Sequence, residues 1–98
     1  FISDVIDALT SAATAQDISQ LVINVGSGTA ISLNALVTAV GKAMDTTLEP
    51  LYNSSESGGL IQMCADLKLA ENKLGYRPRI SLPEGLHRTI TLDERFRA

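Results

Sequence analysis

Residues 66–86, DLKLAENKLGYRPRISLPEGL, contain the start of one helix, its end and the start of the next. Asp66 predicts an N-cap, because its carboxylate can accept an orphan backbone N–H of the first turn. Gly75 predicts the C′ position, where a left-handed residue ends a helix, and Pro78 prevents the helix from continuing. The capping-box pattern S-x-x-E at 81–84 predicts a new helix start. The stretch therefore indicates two helices joined by a short connection.

Two further helices are predicted closer to the N-terminus. The first spans residues 4–15 with Asp4 as its N-cap, and the second follows Ser32, which is also a good N-cap. In all four helices apolar residues recur every three or four positions. Helix by helix, these residues are Val5, Leu9 and Ala12; Leu33, Leu36, Val37, Val40 and Met44; Leu67, Ala70 and Leu74; and Leu82, Leu86 and Ile90. Gly41 weakens the second helix by about 1 kcal/mol relative to Ala.

Two short strands are predicted between these helices. Residues 21–25, LVINV, are apolar and rich in β-branched side chains, which is typical of a strand covered on both faces. Residues 46–52 predict a second strand, and Pro50 marks it as an edge or a strand end. The element order α-β-α-β-α-α predicts an α/β fold, and the length predicts a single domain over residues 1–98.

Composition excludes several classes of protein and partner. No run of apolar residues approaches the roughly 18 that span a membrane, so we expect no membrane partner. Eleven acidic residues against eight basic ones give a net charge of −3, which argues against a nucleic-acid partner. A single cysteine excludes an intrachain disulfide and favours a reducing, cytoplasmic location. The chain starts in mid-pattern at Phe1, which predicts a fragment of a longer protein.

The sequence Gly26-Ser27-Gly28 lies between a predicted strand and a predicted helix, where phosphate groups are often bound. It lacks the third glycine of a dinucleotide-binding turn and the lysine of a P-loop. We therefore favour a turn that needs a positive φ.

Cys64 and His87 are the only thiol and the only imidazole of the chain. Catalysis by this pair would require the two to meet in space with a third, orienting group. Cys64 lies in an apolar stretch and is predicted to be a small buried thiol, whereas His87 is predicted to face solvent. With one histidine and no paired ligand spacing, no metal site and no catalytic residue is predicted.

Arg77, Arg79 and Arg88 are the candidate anion-binding residues. The first two flank Pro78 on a rigid connection, and Arg88 lies on the helix that follows. The alternative interpretation is that all three are solvated surface charges, and the usual exposure of arginine favours it.

Five segments of the chain, in order, resemble motifs of one enzyme family. They are FISDVIDA (1–8), INVGSG (23–28), SLNALV (32–37), the region from Ala65-Asp66 to KLGYRP (73–78), and SLPEGL (81–86). Together they resemble the C-terminal substrate-binding region of extended short-chain dehydrogenases/reductases, the NAD-dependent epimerase/dehydratase family that acts on nucleotide sugars.

The resemblance implies a nucleotide-sugar-binding portion of a larger enzyme that uses NAD or NADP. The family's nucleotide-binding Rossmann half, with its glycine-rich turn and its catalytic Y-x-x-x-K, is absent from these 98 residues. The residues four positions after Tyr52 and Tyr76 are Glu56 and Ile80, not lysine. The chain by itself is therefore predicted to be inactive and to hold no cofactor. Without its other half, it is expected to self-associate or to be marginally stable.

One part of the family pattern is missing. The positions of its R-x-G-D motif, whose arginine contacts the substrate diphosphate, hold Glu56 and Gly59. The candidate substrate-binding residues are thus Glu56, Gly59, Arg77 and Arg88. The first two lie in a loop at 53–59 that we expect to be mobile, and the two arginines follow it. Because a carboxylate repels a diphosphate, either another arginine takes over or the substrate differs. The alternative function is a non-catalytic sensor or structural relative of the same fold.

Overall fold

A computed structural model describes residues 1–53 and 62–96. Its helices are α1 (Ile2–Thr14), α2 (Leu33–Ala43), α3 (Lys68–Leu74) and α4 (Leu82–Leu92), followed by a 3-10 turn (Glu94–Phe96). The chain divides into two units. Unit 1 comprises Phe1–Ala30 and Met63–Ser81, and unit 2 comprises Ile31–Gln62 and Leu82–Ala98.

The predicted α/β class is wrong, because the described residues form helices and no strand. A strand exists only through a ladder of hydrogen bonds to a second strand. Neither 21–25 nor 46–52 forms such a ladder within the described ranges. In unit 1, Ile23 and Val25 instead pack their side chains against the core, while Val22 before them and Asn24 between them are exposed. Alternation of inward and outward side chains is therefore present without a sheet.

Unit 1 is built around the contact of α1 with α3. Its buried core consists of Ala8 on α1, Ala70 on α3 and Tyr76 just beyond α3. The partly buried residues packed against this core are Ile23, Val25, Leu67 and Leu74. Two alanines at the centre allow the helices to approach closely, and the tyrosine supplies most of the buried area.

Asp4 has a different role from the predicted one. The helix α1 begins at Ile2, two residues before the predicted start, and its N-cap Phe1 makes no side-chain capping bond. The Asp4 carboxylate is buried and accepts hydrogen bonds from the backbone N–H groups of Arg79 and Ile80, at 3.3 and 3.2 Å. The Phe1 amino group lies 3.8 Å from the same carboxylate. A buried charge requires such partners, and Asp4 thus joins the two sequence-distant parts of unit 1.

The predicted end of α3 is confirmed, whereas its predicted N-cap, Asp66, is one residue too early. Gly75 ends the helix in the left-handed conformation, with φ at 62°. The Asp66 carboxylate accepts the N–H of Lys68 at 3.0 Å, although the helix itself begins after Leu67. Asp66, the residue before the N-cap Leu67, therefore accepts one of the free N–H groups of the first helical turn.

Unit 2 pairs α2 with α4. Ser32 caps α2 as predicted, since its hydroxyl oxygen accepts the N–H of Ala35 at 3.1 Å. The helix α4 begins at Leu82, directly after Ser81, as the capping-box pattern predicts. No helix within the described ranges is both long and apolar enough to cross a membrane.

Candidate functional site

A small recess lies in unit 1 between α1 and the segment that follows α3. Its lining residues are Asp7, Ala8, Ser11, Gly75, Tyr76, Arg77 and Arg79. Its volume is about 40 Å³, which admits a few water molecules or one small ion. Ligand pockets for molecules of nucleotide size are about 300–1,000 Å³. The recess is therefore too small to enclose a molecule of that size.

The charges at this recess are paired. Arg77 Nη2 donates to Glu71 Oε1 at 2.7 Å, and Arg79 Nη1 lies 3.7 Å from Asp7 Oδ2. The four side chains are more than half exposed. Exposed ion pairs are worth about 0–1 kcal/mol, so either arginine can exchange its carboxylate for another anion at small cost.

The third candidate arginine, Arg88, belongs to unit 2. Its Nε donates to Glu84 Oε1 at 2.6 Å, one helical turn earlier on α4. Arg77 and Arg88 are therefore held by separate units, each beside a glutamate of its own unit. Glu56 and Gly59, with the rest of 54–61, lie outside the described residues, so the predicted site is only partly described.

Tyr76 is a functional candidate that the sequence did not single out. It is 7% exposed, and its hydroxyl donates to the Gly26 carbonyl oxygen at 2.8 Å. Burial raises the pKa of the Tyr76 hydroxyl above its usual value, and the negative charge of Asp4 raises it further. Tyr76 is thus a neutral hydrogen-bond donor near neutral pH, and it anchors the segment that carries Arg77. The available sequence signal was a lone aromatic residue directly after the helix-ending Gly75.

The Gly26–Gly28 turn does not fit a dinucleotide diphosphate. A Cβ on Gly26 would lie 3.2 Å from the Ala65 Cβ, and one on Gly28 would lie 2.9 Å from Leu67 Cδ1. The space that glycines leave open for a phosphate is here filled by protein. Moreover, α2 begins only at Leu33, five residues after the turn. Gly28 has a φ of +68°, which confirms the turn with positive φ.

The thiol and the imidazole do not form a described site. Cys64 is exposed, so the prediction of a buried thiol is wrong, and the neighbouring Met63 is exposed as well. Neither Met63 nor Cys64 is among the described residues that pack on the core of unit 1. His87 is exposed, as predicted. Among the described residues, no group of three or more His, Cys, Asp or Glu side chains could hold a metal ion.

Three of the segments that carry the family resemblance meet inside unit 1. Segment 1–8 contributes Asp4 and Ala8, segment 23–28 contributes the Gly26 carbonyl, and segment 65–78 contributes Ala70 and Tyr76. These motif residues form the core and the buried hydrogen bonds of unit 1. Their physical role in the described residues is therefore to hold the segments together.

Comparison with known proteins links this chain to epimerases. It is 32% identical over 90 residues to a UDP-glucose 4-epimerase of Mycolicibacterium smegmatis. The aligned residues are 92% of this chain and 28% of that protein. It is 27% identical over 88 residues to an uncharacterized protein of Methanocaldococcus jannaschii. That alignment includes 90% of this chain and 27% of the other protein. The chain thus spans about a quarter of the length of the curated relatives it matches. No protein-family model matches the chain, and no solved structure does. The similarity indicates a relationship to a segment of UDP-glucose 4-epimerases.

Proposed function

We propose that this chain is the nucleotide-sugar-binding portion of an NAD- or NADP-dependent epimerase or dehydratase. The observation that carries the proposal is the similarity to the UDP-glucose 4-epimerase of Mycolicibacterium smegmatis, which extends over 92% of the chain. The five motif segments, which follow the order of the family's motifs, also support it. The function belongs to the whole enzyme, of which this chain supplies substrate contacts.

The proposed substrate contacts are made by Arg77 and Arg88. Guanidinium groups bind phosphate oxygens through paired, charge-assisted hydrogen bonds. Arg77 is held in place by its backbone neighbour Tyr76, whose side chain is buried and hydrogen-bonded to Gly26. Each arginine pairs with a partly exposed glutamate, Glu71 for Arg77 and Glu84 for Arg88, and exposed ion pairs of this kind are weak enough for a diphosphate to displace.

In this proposal the dinucleotide cofactor binds elsewhere in the enzyme. The only glycine-rich turn of the described residues is packed against Ala65 and Leu67, so it offers no cradle for a pyrophosphate. The alternative, a non-catalytic relative, is favoured by Glu56 and Gly59 at positions where the family pattern has Arg and Asp.

The proposal is tested by titrating UDP-glucose into the isotopically labelled chain and following the arginine side chains by NMR. We expect the Arg77 and Arg88 signals to shift, and each of Arg77→Gln and Arg88→Gln to weaken binding about tenfold, since a charged hydrogen bond contributes about 1.5–3 kcal/mol.

The matched control is Arg95→Gln. Arg95 is also exposed and also paired with a carboxylate, that of Asp93, but it lies in the 3-10 turn. An equal loss of affinity in all three variants would mean that only net charge matters. Unshifted Arg77 and Arg88 signals at millimolar UDP-glucose would contradict the proposed contacts.

A further inference from the structure

The connection formed by residues 76–80 is fixed at its start by Tyr76. The backbone N–H of Tyr76 donates to the Ala70 carbonyl oxygen at 3.2 Å, and its hydroxyl donates to the Gly26 carbonyl oxygen at 2.8 Å. The next residue is Arg77, which lines the recess of unit 1. The two hydrogen bonds of Tyr76 leave the Arg77 side chain at the surface, where it is mostly exposed.

The end of the same connection is fixed by Asp4 on α1. Its Oδ1 accepts the Arg79 backbone N–H at 3.3 Å, and its Oδ2 accepts the Ile80 backbone N–H at 3.2 Å. Because each oxygen binds one of two consecutive N–H groups, the carboxylate fixes the direction of the backbone as well as its distance from α1. Asp4 is buried and does not line the recess, so an anion bound there does not touch it.

Pro78 couples the position of Arg79 to that of Arg77. The ring of a proline fixes its own φ, and it also restricts the residue before it to extended conformations. The three residues therefore move nearly as one piece, and the hydrogen bonds at residues 79 and 80 help to determine where the Arg77 side chain leaves the backbone. Both arginines line the recess, so two guanidinium groups are carried by one short, restricted segment.

We propose that Asp4 is a positioning residue for anion binding by Arg77 and Arg79. Through the backbone of residues 79 and 80 it holds the segment 77–79 in the conformation in which both arginines line the recess. The inference rests on the proposed function, because the anion it concerns is the diphosphate of a nucleotide sugar. The free energy needed to order the backbone of one residue corresponds to about a tenfold change in affinity, so a segment that is already ordered binds more tightly.

The direction of the effect separates this role from two others. Asp4 is a negative charge in a chain whose net charge is −3, so its removal would strengthen anion binding if the carboxylate acted only by repulsion. A purely structural role predicts a loss of stability, with no change in the affinity of the chains that remain folded. Only the positioning role predicts that the folded chain binds the anion more weakly without Asp4.

The test compares UDP-glucose binding by the wild type, Asp4→Asn and Asp4→Ala. Binding is followed through the Arg77 side-chain NMR signals, at a temperature where circular dichroism shows each chain to be folded. We expect Asp4→Ala to raise the dissociation constant about tenfold. Asp4→Asn keeps one acceptor oxygen, and we expect it to raise the dissociation constant about threefold.

The matched control is Ala13→Gly. Ala13 lies at an exposed position of α1 and does not line the recess. Glycine there lowers the stability of the same helix through its poor helix propensity. The dissociation constant of the folded Ala13→Gly chain should stay within about twofold of the wild type. If Asp4→Ala does not fold, Asp4→Asn is compared with this control, because asparagine preserves the shape of the side chain.

The results that overturn the positioning role differ from those that overturn the proposed function. If UDP-glucose shifts the Arg77 signals and the folded Asp4 variants bind it as tightly as the wild type or more tightly, the positioning role is wrong and the proposed function stands. If UDP-glucose shifts no Arg77 signal, the proposed function is contradicted, and inorganic pyrophosphate becomes the probe. Pyrophosphate binding that weakens in Asp4→Asn supports the positioning role. Binding that does not weaken, or no binding at millimolar pyrophosphate, overturns it.

Discussion

The hydroxyl of Tyr76 connects two segments that are 50 residues apart in the sequence, because it donates to the Gly26 carbonyl oxygen at 2.8 Å. Tyr76→Phe leaves that carbonyl oxygen without its partner in a partly buried place. We expect the free energy of unfolding to fall by about 1–2 kcal/mol in urea titrations. The control is Tyr52→Phe. Tyr52 donates to Asn34 Oδ1 at 3.3 Å in an exposed position, so its loss should cost less than about 0.5 kcal/mol.

The same hydroxyl predicts a dependence on alkaline pH. Burial, and then the Asp4 charge, raise the pKa of Tyr76 in the folded chain above the usual tyrosine value of 10.0. As the pH rises past that value, the unfolded chain loses the proton first and binds fewer protons than the folded chain. The free energy of unfolding therefore falls with pH from there upward. The difference in stability between the wild type and Tyr76→Phe should shrink over this range, and a constant difference would contradict the buried position of the hydroxyl.

The Asp4 carboxylate is the second residue on which unit 1 depends. It is 4% exposed and accepts from two backbone N–H groups, those of Arg79 and Ile80. Asp4→Ala removes both acceptors, and we expect a loss of about 2 kcal/mol or more. Asp7→Ala is the matched control on the same helix. Asp7 is exposed and lies 3.7 Å from Arg79, so its removal should cost less than about 1 kcal/mol. Equal losses in urea titrations would show that only the charge of α1 matters.

At the scale of elements, helix ends could be predicted from the sequence and strands could not. The Ser32 cap, the stop at Gly75 and the start of α4 depend on contacts within a few residues, which the local sequence contains. A strand depends on a distant partner, which the pattern at 21–25 does not reveal. Asp4 shows the same limit, because an N-cap and a buried acceptor for residues 79–80 look alike in the local sequence.

Gly41 on α2 shows how a packed element changes a local expectation. Helix propensity alone predicts that Gly41→Ala stabilises the chain by about 1 kcal/mol. In the structure Gly41 is buried, and an added Cβ would lie 2.8 Å from the Thr46 carbonyl oxygen, which belongs to the backbone. We expect thermal unfolding to show Gly41→Ala less stable than the wild type by about 1 kcal/mol or more.

The control for Gly41→Ala is Thr38→Ala on the same helix. Thr38 is exposed, and its hydroxyl only donates to the Asn34 carbonyl one turn earlier. Alanine at this position should be neutral or stabilising by a few tenths of a kcal/mol. A stabilised Gly41→Ala variant would show that the chain after α2 yields easily to the added methyl group.

At the scale of the whole molecule, the sequence pointed to a family more clearly than to a site. The motif segments that carry the resemblance supply the core of unit 1, so packing explains why those residue types stand at those positions. Of the predicted site, Arg77 and Arg88 are arginines at the surface of separate units. The pairing of Arg88 with Glu84 follows from their spacing of four residues on a predicted helix. The pairing of Arg77 with Glu71, across the end of α3, becomes visible only in three dimensions.

The isolated chain is predicted not to bind NAD. Recognition of the dinucleotide requires a glycine turn against which a pyrophosphate can lie, with a helix N-terminus directed at it. In this chain Ala65 and Leu67 occupy the space beside Gly26 and Gly28, and the Tyr76 hydroxyl donates a hydrogen bond to the Gly26 carbonyl oxygen. Calorimetric titration with NAD should therefore give no heat beyond dilution, for the wild type and for Leu67→Ala alike. If Leu67→Ala gained binding, the turn would be a latent phosphate site that Leu67 blocks. One-to-one binding of NAD by the wild type at micromolar affinity would contradict the packing argument itself.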